Sequence, residues 1–142
     1  MTVAHILKIK GRDIITLAPH RTMADAARTL AEKRIGAIII AAPDGSIAGI
    51  LSERDVVRAL TTHGGEALEH RLSDHMTAKV VTASESDSII DIMEMMTRGK
   101  FRHIPVVEGG KLAGIISIGD VVKHRLAEME AEARAMRDYI SA

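Results

Sequence analysis

Residues 48–57 and 113–122 are near copies of each other, and this repetition constrains the fold more than any other feature. The first stretch reads Ala48-Gly49-Ile50-Leu51-Ser52-Glu53-Arg54-Asp55-Val56-Val57. The second reads Ala113-Gly114-Ile115-Ile116-Ser117-Ile118-Gly119-Asp120-Val121-Val122, with seven of ten positions identical at an offset of 65. Upstream the correspondence continues at an offset of 66: Ile15-Thr16 answers Val81-Thr82, Thr22 and Asp25 answer Ser88 and Asp91, and Ile38 and Ile40 answer Ile104 and Val106. The change of offset falls in a turn, where Pro43-Asp44-Gly45-Ser46 faces Glu108-Gly109-Gly110-Lys111 and a length change costs least. A unit of about 65 residues present twice is too long, and too few in copies, for a solenoid. It describes two half-domains sharing one core.

Each half carries the same succession of patterns. A short helix over the first 12 residues ends at Gly11. Ile14 to Thr16 reads as a strand. Met23, Ala26, Ala27, Leu30 and Ala31 have helical spacing within a helix at about 22–34 that Gly36 ends. Ala37 to Ala41 and Ile47 to Leu51 form a hairpin around Asp44-Gly45. A helix follows Ser52 to about Thr62, stopped by Gly64-Gly65, and 66–76 is a helical linker. The second half repeats this with strands at 79–82, 103–107 and 111–116, and helices at 87–98 and from 118 onward. The expectation is an α/β (α+β) fold of two β-α-β-β-α repeats with pseudo-two-fold symmetry, divided as 1–66 and 67–142.

The last helix outruns its counterpart, continuing to about Ile140. Val122, Leu126, Met129, Ala133, Met136 and Ile140 fall at alternating spacings of four and three, an a/d seam flanked by charge. An extension with no intramolecular counterpart to cover it is expected to pack on a second copy of the chain, giving a homodimer.

Composition removes several functions. Nineteen basic and nineteen acidic residues cancel, which argues against a nucleic-acid partner. Phe101 and Tyr139 are the only aromatics, too few for a base-stacking platform. With no cysteine there is no disulfide, thiolate ligand or thiol nucleophile. Apolar runs are too short for a membrane span, and the N-terminus lacks signal-peptide character, so a cytoplasmic protein without a membrane partner is expected. No nucleophile–base pair, P-loop or metal cluster stands out, so no catalytic and no metal residues are expected. Of the histidines outside residue 103, His70 and His75 are five apart, which does not suit one helix face.

The chemistry-bearing motif is Ser-x-x-Asp at a strand-to-helix step, in Ser52/Asp55 and Ser117/Asp120. As a capping box, Ser and Asp satisfy free amides of the first helical turn. The same helix start also favours a phosphate, to which the Ser hydroxyl adds a donor. Arg102 and His103 precede the second hairpin. An arginine there is either a surface ion-pair partner of small value or a forked phosphate donor.

The paired units, the Gly114-Ile115-Ile116-Ser117-Ile118-Gly119-Asp120 stretch and Phe101-Arg102-His103-Ile104-Pro105-Val106-Val107 resemble the two motifs of a cystathionine-beta-synthase (CBS) pair, or Bateman module, over about residues 13–125. The similarity is to small bacterial proteins in which this module stands alone. The resemblance implies a non-enzymatic sensor that binds an adenine nucleotide (AMP, ADP, ATP or NAD(H), with S-adenosylmethionine ranked behind) between repeats and regulates an unknown protein. It implies that Asp55 and Asp120 accept from ribose hydroxyls, that Arg102 and His103 lie near the phosphates, and that Pro105 belongs to the same ligand-binding set. Ile15, Thr16, Val81 and Thr82 would then flank the adenine, their backbone reading the purine edge. The copies differ where phosphates belong. Gly36-Ala37 replaces Arg102-His103, while Glu53-Arg54 replaces Ile118-Gly119, so Arg54 is the candidate phosphate contact of the first copy and the two sites are expected to have unequal occupants. The other reading of the chain is a ligand-independent dimerisation scaffold.

Overall fold

The computed structural model describes residues 1–141. The chain divides into two compact units, one of residues 13–81 and the other of residues 1–12 together with 82–142. This is not the 1–66 and 67–142 division expected from the repeat.

In the 13–81 unit, β1 (Thr16–Leu17) runs parallel to β2 (Ala37–Ala41), which pairs antiparallel with β3 (Ile47–Ser52) in the order β1-β2-β3. Helix α2 (Met23–Lys33) begins at Thr22, whose Oγ1 accepts from the Asp25 amide at 3.2 Å while the Asp25 carboxylate accepts from the Thr22 amide at 3.3 Å. The helix ends at Arg34 in the left-handed region (φ 54°), two residues before Gly36. Helix α3 (Glu53–His63) follows β3 directly. The expected helical linker is a 3-10 segment, Gly64–Glu69, and a single-turn helix α4 (Leu72–His75). Met23, Leu30, Ile38, Ile40, Leu51 and Leu72 are buried together in this unit's core.

The second unit repeats the plan with α5 (Ile89–Gly99), β4 (His103–Glu108), β5 (Lys111–Ser117) and α6 (Ile118–Ser141). Even irregularities recur: the β2/β3 register shifts at Ile40/Ala41 and the β4/β5 register at Val106/Val107, and α5 ends on left-handed Lys100 (φ 57°) as α2 does on Arg34. The strand expected at 79–82 is absent. Only Ala83 bridges β4, its amide donating to the Pro105 carbonyl and its carbonyl accepting from Val107, both at 2.9 Å. Beyond Ala83 the pairing passes to a side chain, the Glu108 carboxylate accepting from the Ser84 hydroxyl (2.9 Å) and the Glu85 amide (2.7 Å).

Two short helices explain the unexpected division. Helix α1 (Val3–Lys10) buries Val3, Ile6 and Leu7 against Ile89, Ile92, Ile104 and Ile116, so the helix preceding the first repeat completes the second. The Val3 amide donates to the Asp87 carbonyl at 2.9 Å. In the other unit the Leu72 amide of α4 donates to the Arg21 carbonyl at 2.8 Å, and Arg21 and Asp87 are repeat equivalents. The segment after the first repeat therefore does for it what α1 does for the second. Both segments lie over equivalent glycines: a Cβ on Gly114 would meet Leu7 Cδ2 at 2.7 Å, and one on Gly49 would meet Met76 Sδ at 2.6 Å and the Thr77 carbonyl at 2.8 Å.

The apolar seam of α6 faces solvent. Val122, Leu126, Met129, Met136 and Ile140 are all exposed, whereas Val121 and His124 are buried. No helix among the described residues is long and apolar enough to cross a membrane.

Candidate nucleotide site

The strand-to-helix steps have the same geometry in both units. Asp55 Oδ2 accepts from the Ser52 amide at 2.8 Å and the Ser52 hydroxyl at 3.1 Å, and the Asp55 amide donates back to Ser52 Oγ at 3.3 Å. Asp120 Oδ2 accepts from the Ser117 amide at 2.9 Å and hydroxyl at 3.0 Å, with the Asp120 amide donating to Ser117 Oγ at 3.2 Å. The capping-box expectation is thus met in full. Both carboxylates are half-buried at the first turn of their helices.

The second copy has an addition that the repeat did not foreshadow. Lys10, at the end of α1, donates from Nζ to Asp120 Oδ2 at 2.6 Å and to the Ile115 carbonyl at 2.8 Å. Burial raises the pKa of the Asp120 carboxyl. The Lys10 hydrogen bond, the Ser117 amide, the Lys10 charge and the Ser117 hydroxyl outweigh it and hold the group below the ordinary carboxylate range. The lysine, the amide and the hydroxyl all converge on Oδ2, and none of these three bonds uses Oδ1. Lys10 lies outside the repeat, and the only sequence signal for its placement is weak: Val3 and Leu7 share the spacing of Leu72 and Met76.

Arg102 and His103 are brought to the same step. His103 pairs directly with Ser117 across β4 and β5, and the Arg102 carbonyl accepts from the Ile118 amide at 2.8 Å. The Arg102 side chain is exposed. In the first copy Ala37 stands opposite Ser52, and the Gly36 carbonyl accepts from the Glu53 amide at 3.0 Å. Arg54 is exposed on the first turn of α3. Among the described residues neither Arg54 nor Arg102 is in an ion pair, whereas Arg58 lies 3.6 Å from Asp55 Oδ1.

The remaining candidates are more scattered. Ile15 is half-buried just before β1, and Thr16 is exposed and paired with Ile39. Val81 and Thr82 are both exposed and stand on opposite sides of the boundary between the units. Pro105 is buried within the sheet, with its carbonyl taken by Ala83.

One correction concerns the histidines. His63, His70 and His75 do come together, with candidate ligand nitrogens all within 4.8 Å of one another. His70 and His75 are five apart, off a single helix face, and His63 and His70, though seven apart, share no helix. The 3-10 segment and α4 reverse the chain and bring them together.

Two units, each an antiparallel hairpin with a parallel pairing at its edge (β1 in one, the single Ala83 bridge in the other) and helices opened by Ser/Thr-x-x-Asp, define a protein built from a tandem pair of small mixed helix-and-strand repeats. The CBS domain family model matches residues 4–62 and 72–127, and the chain belongs to that family as a CBS pair. A CBS-domain containing protein from Agrobacterium tumefaciens has 45% sequence identity and a TM-score of 0.86, covering 87% of this chain and 92% of its own. The mitochondrial CBS domain-containing protein CBSX3 of Arabidopsis thaliana is 29% identical over 147 residues, 98% of this chain and 71% of its own length. A CBS domain protein from Pyrobaculum aerophilum, solved in complex with AMP, has 27% identity and a TM-score of 0.76, covering 84% of this chain and 89% of its own.

Proposed function

We propose that the chain is a non-enzymatic regulatory module that binds an adenine nucleotide at its Ser-x-x-Asp steps, most strongly at Ser117–Asp120. The observation that carries this reading is the juxtaposition of Arg102, His103, Ser117 and Asp120 at one helix start. An exposed guanidinium and a capped helix N-terminus suit a phosphate, and Asp120 Oδ1, outside the capping bonds, suits a ribose hydroxyl. The AMP complex of the Pyrobaculum aerophilum relative supports the ligand class. AMP, ADP, ATP and NAD(H) all carry these groups. The first copy, with Glu53 and Arg54 in place of Ile118 and Gly119, takes a different occupant or takes the same one more weakly.

The ligand's output runs through α6. Its first turn holds Asp120 and its exposed seam begins two residues later, so a ligand on Asp120 shifts the position or order of the helix that pairs with a second copy. A ligand acts this way only by binding one arrangement better than another.

Calorimetric titration of the folded chain with AMP, ATP, NADH and S-adenosylmethionine tests the reading. Saturable heat with one or more of them, weakened by Arg102→Ala more than by Arg54→Ala, is expected. No heat from any of the four would favour a ligand-independent dimerisation scaffold. That second reading has an observation of its own, since Ser117 and Lys10 already satisfy Asp120 Oδ2 without any ligand.

A further inference from the structure

The three clustered histidines stand apart from the Ser-x-x-Asp steps and belong to one unit. His63 is the last residue of α3, His70 follows the 3-10 segment, and His75 is the last residue of α4. The backbone that presents them is well anchored. The His70 amide donates to the Ala67 carbonyl at 3.1 Å, its carbonyl accepts from the Met23 amide at 2.8 Å, and Ser73 donates to the Pro19 carbonyl at 3.1 Å. His70 and His75 are half-buried with rings stacked at 5.1 Å and an interplanar angle of 4°, while His63 is exposed and meets them edge-on at 4.9 and 5.6 Å.

We infer that His63, His70 and His75 form a binding site for a first-row divalent cation of the zinc class. His70 Nδ1 and His75 Nε2 already converge to 2.9 Å, a distance at which the two nitrogens share a single proton that a cation can replace. All candidate ligand atoms lie within 4.8 Å. Tetrahedral Zn–N bonds of about 2.0–2.1 Å place ligand nitrogens about 3.3 Å apart. The closure needed falls mainly to His63, whose exposed side chain at a helix end is free to change rotamer.

The donor set selects the ion. Three imidazoles without carboxylate or carbonyl ligands suit zinc, cobalt, nickel or copper, and not magnesium or calcium. The same segment carries Glu66, Glu69 and Asp74 against one cation, Arg71, so its charge favours a cation. Three protein ligands leave a fourth position for water or an exchangeable group. The bound ion ties the end of α3 to the linker that lays Met76 and Thr77 over β3, so it braces the first repeat.

The test uses the untagged chain, stripped with a chelator and titrated with Zn(II), then with Co(II) for its visible tetrahedral absorption. One ion per chain is expected. A melting temperature rise of roughly 5–10 °C is expected at metal concentrations about a hundredfold above Kd. His63→Ala, at an exposed position that leaves folding intact, should weaken affinity at least about tenfold, no less than the loss of an outer-shell partner. His70→Asn and His75→Gln, checked for native circular dichroism, should abolish the tetrahedral cobalt spectrum. Absence of saturable micromolar binding by the folded chain, or binding that survives all three substitutions, would overturn the inference.

Discussion

Gly49 and Gly114 occupy equivalent strand positions, yet the structure expects an alanine to cost more at the first. At Gly114 the new methyl meets the two δ-carbons of Leu7 at 2.7 and 3.0 Å. These are the far end of a flexible side chain, so Leu7 can yield by a change of rotamer without moving any backbone. At Gly49 the methyl meets Met76 Sδ at 2.6 Å and also the Thr77 carbonyl at 2.8 Å. That carbonyl cannot retreat cheaply, because Thr77 and Ile50 exchange two backbone hydrogen bonds of 3.0 and 2.9 Å. Overpacking costs about 1–3 kcal/mol, and loosening each backbone bond adds about 1 kcal/mol. Gly114→Ala is therefore expected near about 1 kcal/mol and Gly49→Ala near about 3 kcal/mol, the two penalties drawn from those ranges. Urea denaturation of both variants measures this, and double-mutant cycles identify the cause. The coupling between Leu7→Ala and Gly114→Ala should recover nearly all of the Gly114 penalty. Met76→Ala should recover only part of the Gly49 penalty, because the Thr77 carbonyl stays. Equal costs at the two glycines, or full rescue of Gly49→Ala by Met76→Ala, would refute the argument that backbone crowding sets the difference.

Lys10→Met should destabilise the chain at neutral pH by up to about 1 kcal/mol, the range for a partly exposed ion pair. The folded-state pKa of Asp120 is depressed, so its contribution is present above the ordinary carboxylate range and is lost as pH falls through the depressed value. The difference between variant and wild type should close on acidification, which melts at a series of pH values will show. Asp25 is held to about 2 by the Arg21 side chain first, then by the Thr22 amide and hydroxyl, against a raising effect of burial. In Arg21→Ala its carboxyl resonance, followed by NMR, should titrate closer to the ordinary carboxylate range. An unchanged midpoint would remove Arg21 as the main cause. Leu126→Glu with Met129→Glu, on the exposed seam of α6, should convert a dimer to a monomer by light scattering while leaving circular dichroism unchanged. A wild-type chain that is monomeric at high concentration would end that proposal.

Much of the fold was legible because it is written locally and twice. Thr22, Ser52, Ser88 and Ser117 each sit three residues before an aspartate, and all four open helices. The Asp44-Gly45 and Gly109-Gly110 turns close the two hairpins where the offset changes. The a/d spacing of the last helix gave an apolar seam, and that seam is exposed. Less legible were the points at which a helix or strand end depends on a distant neighbour. Val80 and Val81 have strand-forming side chains, yet only Ala83 pairs with β4. Gly36 reads as a helix stop, yet α2 ends earlier on a left-handed Arg34.

The sequence alone determined that this chain is a pair of like units, where their hairpins and capped helices begin, and that the two Ser-x-x-Asp steps differ in their neighbours, Arg102–His103 at one and Glu53–Arg54 at the other. Periodicity, capping and turn chemistry act over a few residues, so they survive in a linear reading. Only the tertiary structure decided that α1 completes the second repeat and α4 the first, that Lys10 reaches Asp120 from outside the repeat, and that His63, His70 and His75 converge. Each of these depends on which surface a short apolar segment finds. Val3, Leu7, Leu72 and Met76 are apolar enough to need a partner, but their spacing does not say which sheet supplies the glycine they lie against.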